Sequence, residues 1–285
     1  MKPTTTTLRC DLEYAILAET HFCFNLQASR GCPGQRVIEE SLEVTPGIQV
    51  QQFEDPNNGN RFFRCDALPG TTLKIRYDAR VELARRKPSG KLPEDRINAL
   101  PNEVLHCLLP TRYCQSDVMA RAANHLFGQV PPGRERVEHI CEWIRQNIAY
   151  QVGVSTPVTS AQDVYLQRAG VCRDFAHLAI TFCRALNIPA RLVVGYVRFE
   201  EPPQDFHAVF EAWLNGRWVM FDPTALAPVE AVVRVGTGRD AKDTAFATMF
   251  GAVTMTHMHI QVHPDGRPVL DNPDPVEATV QRMVV

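Results

Sequence analysis

The sequence has no Cys-x-x-Cys pair, no apolar run near the length of a membrane span and almost no net charge. Each absence excludes a class of function. Without paired cysteines there is no framework for a structural zinc site or for thioredoxin-type dithiol chemistry. A bilayer-spanning helix takes ~18–20 consecutive apolar residues, and nothing here approaches that length. Thirty Lys and Arg against 32 Asp and Glu leave a formal charge of −2, so no basic field draws nucleic acid or an anionic membrane. The opening Met1–Thr7 and the Leu8–Tyr14 that follows lack the basic start and the apolar core of about 7–15 residues that a secretory signal needs. No acidic loop has calcium-binding spacing, and no cofactor is expected.

What is there reads as a globular chain. Its 285 residues, 45% hydrophobic and 22% charged, suffice for one large or two moderate domains. The nine cysteines are odd in number and scattered, several within apolar runs where a free thiol packs as a small core residue. A reducing, cytoplasmic setting fits them best.

The first hundred residues alternate. Leu8, Cys10, Leu12 and Tyr14 do so, and so do Leu73, Ile75, Tyr77, Ala79, Val81 and Leu83, which predicts strands. The segments 37–45 and 48–53 are β-rich, and the turn Asp55–Asn60 leads into Arg61–Cys65 as a hairpin. A charged, Pro-containing stretch, Arg85–Pro93, marks a boundary. The expected division is an antiparallel β-domain over 1–105 and a second domain over 106–285.

Helical patterns dominate next. Ser116 predicts a helix to about Phe127, with Val118, Ala122 and Leu126 on its inner face. Val137, Ile140, Cys141, Ile144 and Ile148 mark a second helix over 134–149. Ser160 with Asp163 starts a third, ended by Gly170. A fourth begins near Cys172 and stops before Pro189. Strands resume at Arg191, so the second domain is α+β, helices followed by an antiparallel sheet.

Cys172 is the cysteine whose surroundings argue for reactivity. Gly170-Val171 precede it and an amphipathic helix follows, so its sulfur sits at a helix N-terminus. Unpaired N–H groups and the macrodipole there stabilise a thiolate. Further on, Phe206–Leu214 is a strand, Asn215-Gly216 is a two-residue hairpin turn, and Arg217–Thr224 returns. In that register Leu214 pairs with Arg217, Val209 faces Asp222 and His207 faces Thr224. His207 and Asp222 then share a face as diagonal neighbours, with Cα atoms about 7–8 Å apart. An imidazole oriented by a carboxylate is what nucleophilic catalysis requires.

Gly170–Leu178, Asn187–Arg191 and Gly195-Tyr196 resemble the core of the bacterial transglutaminase-like superfamily. Asp205–Ala208 and Trp218–Thr224 resemble its His and Asp motifs. Leu109–Cys114 and Gly238–Asp243 are similar to stretches of a subgroup with a β-rich N-terminal domain. The chain departs two residues after the His, where the superfamily often carries an aromatic and this sequence has Val209. The resemblance implies a papain-like cysteine enzyme with Cys172 as nucleophile, His207 as general base and acid, and Asp222 as the orienting acid. The implied reaction is acyl transfer from a protein or peptide amide through a thioester at Cys172, ending in hydrolysis. The alternatives are a protein-crosslinking transglutaminase and a catalytically idle peptide-binding module. Gln167, just upstream, is the expected second oxyanion donor beside the Cys172 N–H. Two polar segments, Glu200–Gln204 and Gly236–Gly238, are the expected rims of the groove.

Other polar residues read as structural. His177 lies about 140° around the helix from Cys172 and belongs to the core. His257 and His259 face one side of a strand, with no third metal ligand in view. Asp174, Arg239 and Asp240 read as ion-pair partners, and Trp213 with Trp218 as a cross-strand packing pair.

Overall fold

The computed structural model of the protein describes residues 3–85 and 90–267. Arg86–Ser89, part of the expected boundary stretch, lies outside the described residues. The chain begins with β1 (Thr4–Ile16), β2 (Thr20–Phe24), β3 (Gln35–Thr45), β4 (Gln51–Glu54), β5 (Arg61–Ala67) and β6 (Thr72–Leu83). Alternation of sequence becomes alternation of burial, because successive strand side chains point to opposite faces. The odd-even sets on β1 and β6 named above are all buried. They share one core with Phe22, Phe24 and Phe63 of a second sheet.

The second half adds α1 (Ala120–Phe127), α2 (Arg134–Asn147), β7 (Ala149–Tyr150), α3 (Ala161–Gln167), β8 (Ala169–Gly170) and α4 (Cys172–Ala185). It continues with β9 (Ala190–Tyr196), β10 (His207–Leu214), β11 (Arg217–Phe221), β12 (Val233–Gly238), β13 (Ala247–Phe250) and β14 (Val253–His263). The sheets run β14-β1-β6-β3, β13-β2-β5-β4 and β11-β10-β9-β12, all antiparallel, with β7 and β8 a short parallel pair. The fold is therefore α+β, with an N-terminal β-domain and a helical layer packed on an antiparallel sheet.

Three expectations need correction. The helix expected from Ser116 begins at Ala120 and buries Met119, Ala123 and Phe127, whereas Val118 is 59% exposed. Phe127 decides this phase by packing edge-on against Trp143 and Phe182. The third helix has its Ser160–Asp163 capping box but ends at Arg168, in the left-handed region at φ 59°. Gly170 instead pairs with Tyr150 in β8. Finally, the division at residue 105 misses the chain's return: β13 pairs with β2 and β14 with β1, so the last strands complete the N-terminal sheets.

The two halves are joined through β12, the edge strand of the third sheet. Unpaired edge peptides buried away from water are costly, and side-chain amides of the N-terminal domain take the place of a neighbouring strand. Gln35 accepts from the Arg234 N–H at 2.8 Å and donates to its carbonyl at 2.9 Å. Asn60 does the same for Thr237, at 2.9 Å both ways. A Cβ on Gly236 would stand 2.7 Å from the Asn25 amide, so only glycine admits this approach. Asn60→Ala leaves a buried N–H and C=O unpaired and should cost about 1–3 kcal/mol. Chemical denaturation checks it; a midpoint equal to that of the unsubstituted protein would contradict the clamp.

Candidate active site

α4 is buried on nearly every side, with Phe175, Ala176, Leu178, Ala179, Ile180, Phe182 and Cys183 all in the core. Its first turn must therefore satisfy its N–H groups from within the protein. Val171, at the cap position, offers no side-chain acceptor. Asp174, only 1% exposed, accepts the Val171 N–H at 2.9 Å and pairs with Arg173 at 3.1 Å. A Cβ on Gly170 would come within 2.7 Å of the Asp174 Cβ, which explains the glycine. Cys172 is the first residue of this helix and is half-buried.

The Asn215-Gly216 turn places both residues at positive φ, 51° and 71°, as a two-residue hairpin with right-handed strand twist requires. The register is as expected, with Leu214 opposite Arg217 and Phe210 opposite Phe221. The ladder stops there, and Asp222 continues onto the His207 face. His207 Nε2 donates to Asp222 Oδ2 at 3.0 Å, with both side chains almost fully buried. The other Asp222 oxygen accepts the Thr224 N–H at 2.8 Å and its hydroxyl at 2.6 Å. Burial opposes ionisation of both groups. For Asp222 the bonds from His207 and Thr224 outweigh it and hold the carboxyl below its usual range. For His207 burial is likewise outweighed by the bond to Asp222 and the proximity of Cys172, and the ring is pushed up to about 10.

His207 Nδ1 is buried with no aligned hydrogen-bond partner, and Cys172 is the other group acting on the ring. Such loose contacts are common before substrate binds. The Cys172 sulfur lies 4.0 Å from the Phe206 carbonyl. Tyr150 was not legible as a site residue in the sequence. Its side chain lies beside Cys172, and its ring packs on Phe175 at 5.7 Å. Burial, and then the neighbouring Cys172, raise its pKa, so it stays a protonated donor. Gln167 is placed differently from expectation: it is exposed and donates its amide to the Ala169 carbonyl at 2.8 Å. Parallel pairing of β7 with β8 brings in Tyr150 instead.

The remaining polar residues hold the fold. His177 is buried, accepts the Ala241 N–H at 3.1 Å and stacks on Tyr113 at 5.1 Å. Burial keeps it well below the usual imidazole range, hence neutral. Asp240 accepts the Tyr113 and Lys242 N–H groups. His257 and His259 stack at 6.2 Å on β14 opposite Glu13 and Asp11. Among the described residues no group of three or more His, Cys, Asp or Glu is arranged to hold a metal. Trp213 and Trp218 pair across the hairpin at 5.2 Å. Gly236 and Gly238 lie in β12 against Asn60 and Asp243, which ties down the segment expected as a second groove rim.

A cysteine at the head of a buried helix, followed by a histidine and an aspartate on an antiparallel hairpin, defines a papain-like α+β fold. Residues 120–223 match the Transglutaminase-like superfamily, and residues 5–100 match the family described as Bacterial transglutaminase, N-terminal domain. The chain belongs to the transglutaminase-like superfamily. It is 36% identical to a protein of Cytophaga hutchinsonii named as a candidate cysteine protease, whose crystal structure superposes with a TM-score of 0.87 over 98% of this chain and 96% of that one. It is 30% identical to an uncharacterized protein of Mycobacterium leprae over 74% of this chain and 79% of the relative. An uncharacterized protein of Mycobacterium tuberculosis is 27% identical over 83% of each chain.

The His207–Asp222 pair has a pH signature. A ring raised from 6.5 to about 10 contributes stability that is complete below about pH 6.5 and lost as pH rises through about 10. The depressed Asp222 carboxyl contributes above its unfolded value of 3.8 and is lost as pH falls below it. The excess thermal midpoint of the unsubstituted protein over His207→Gln should therefore shrink between about pH 6 and pH 9.5. Scanning fluorimetry across that range checks this, and a constant difference would argue for a neutral ring.

Proposed function

We propose that the protein is a cysteine-nucleophile amide hydrolase of transglutaminase-like type, a protease, amidase or deamidase. One observation carries this reading: His207 is held by Asp222 through Nε2, and Cys172 at the head of α4 is the other group acting on the same ring. In the proposed cycle the Cys172 proton already rests on the His207 ring, as its raised pKa implies, and the thiolate adds to the amide carbonyl. The oxyanion forms beside the Cys172 N–H, with the neighbouring Tyr150 hydroxyl as the second donor. Collapse breaks the C–N bond, His207 returns the proton to the departing amine, and a thioester remains. Water, deprotonated by His207, then releases the acid and restores the thiol.

Hydrolysis is favoured over amine transfer because excluding ~55 M water takes a closed apolar channel. The Glu200–Gln204 segment before His207 is polar. Nine free cysteines support a reducing, cytoplasmic setting. No helix among the described residues is long and apolar enough to cross a membrane.

Cys172→Ala should abolish turnover of a peptide amide while leaving the melting midpoint unchanged. Tyr150→Phe should lower kcat by about 10²-fold, as loss of one oxyanion donor does elsewhere. Full turnover by folded Cys172→Ala would remove the nucleophile. Offered ~1 mM of a primary amine tracer, the enzyme should release mostly free acid. Cys172-dependent tracer incorporation equal to ammonia release would make it a transglutaminase.

A further inference from the structure

One carboxylate beside the candidate nucleophile takes no part in the chemistry above. Asp205 closes the segment Glu200-Glu201-Pro202-Pro203-Gln204-Asp205, which carries three acids and no base. Its Oδ1 accepts the Phe206 N–H at 2.6 Å, and no Lys, Arg or His side chain among the described residues forms an ion pair with it. The residue is open to solvent, yet protein crowds it enough that burial pushes the carboxyl up to about 6, against the lowering by the Phe206 N–H and His207.

This carboxylate adjoins the candidate nucleophile through Phe206. The next carbonyl along the chain, that of Phe206, is the one 4.0 Å from the Cys172 sulfur. The backbone carrying it is fixed, since the Phe206 ring stacks on Phe246 at 4.9 Å and lies against Tyr196 at 5.1 Å. The nearest guanidinium of α4, Arg173, is already committed to Asp174 and the Thr156 carbonyl.

A fixed carboxylate without an ion-pair partner beside the nucleophile is satisfied by a cation and left unpaired or repelled by a neutral or anionic group. Resting on the reading of Cys172 as nucleophile, we propose that Asp205 selects substrates carrying a positive charge next to the scissile carbonyl, such as a peptide's free α-amine or basic side chain.

Charged thiol reagents test this without knowledge of the substrate. Cys172 is challenged at limiting dose with trimethylammonioethyl and with sulfonatoethyl methanethiosulfonate, and its modification is followed by mass spectrometry of the Cys172 peptide. The cationic-to-anionic rate ratio, normalised to a small free thiol, should exceed unity and fall about tenfold in Asp205→Asn, as expected for one unit charge several ångströms away. Asp205→Glu, which keeps the charge, should retain it. In the unsubstituted protein the ratio should also fall as salt is raised, which needs no substitution to fold. A reactive Cys172 whose ratio is unmoved by Asp205→Asn, or by salt, overturns the selection and leaves the nucleophile standing. A Cys172 slower than the free thiol toward both reagents overturns the nucleophile reading and this inference with it.

Discussion

The start of α4 is the constraint around which the rest of the protein is arranged. A helix buried on nearly every side cannot let water satisfy its first N–H groups. Asp174 turns back to take the Val171 N–H, and Gly170 leaves space for it to do so. The device uses only one acceptor, and it does not take the N–H of Cys172, beside which Tyr150 lies. The feature that closes the helix therefore also leaves a pair of donors beside a sulfur. Capping and site geometry are one piece of structure.

Around that point the sheet supplies rigidity. β10 packs its Ala208, Phe210 and Ala212 face against α4 and turns His207, Val209 and Glu211 the other way. Four donors hold Asp222, from His207, from the N–H and hydroxyl of Thr224, and from the Ala227 N–H. The N-terminal domain is part of this scaffold and not an appendage. Tyr196, Phe206, Val233 and Val235 from the third sheet sit in its core, and the Tyr196 hydroxyl donates to the Leu26 carbonyl at 2.8 Å. Phe206 links the two directly, since it packs in that core while its carbonyl faces Cys172.

Much of this was legible in the sequence wherever the physics is local. The strand alternation on β1 and β6, the Ser160–Asp163 box, the extent of α2 and the Asn215-Gly216 register depend on residues two to four positions apart. His207 and Asp222 could be brought to one face because a two-residue turn leaves only one pairing. The α1 start and phase were not legible, because Ala122 and Leu126 also pack against the core that buries Ala123 and Phe127, and an aromatic cluster from other helices fixes Phe127. Gln167 was a plausible amide near Cys172 in sequence, but in space its nearest acceptor is the Ala169 carbonyl.

By itself the sequence determined most element types and the hairpin register that brings His207 and Asp222 together. Tertiary structure alone decided that Tyr150 meets Cys172, that Gln35 and Asn60 stand in for a strand beside β12, and that β13 and β14 return to the N-terminal sheets. The reason is the same in each case. A strand edge or a buried donor carries no information about which distant segment will satisfy it, and that choice is made only when the cores close.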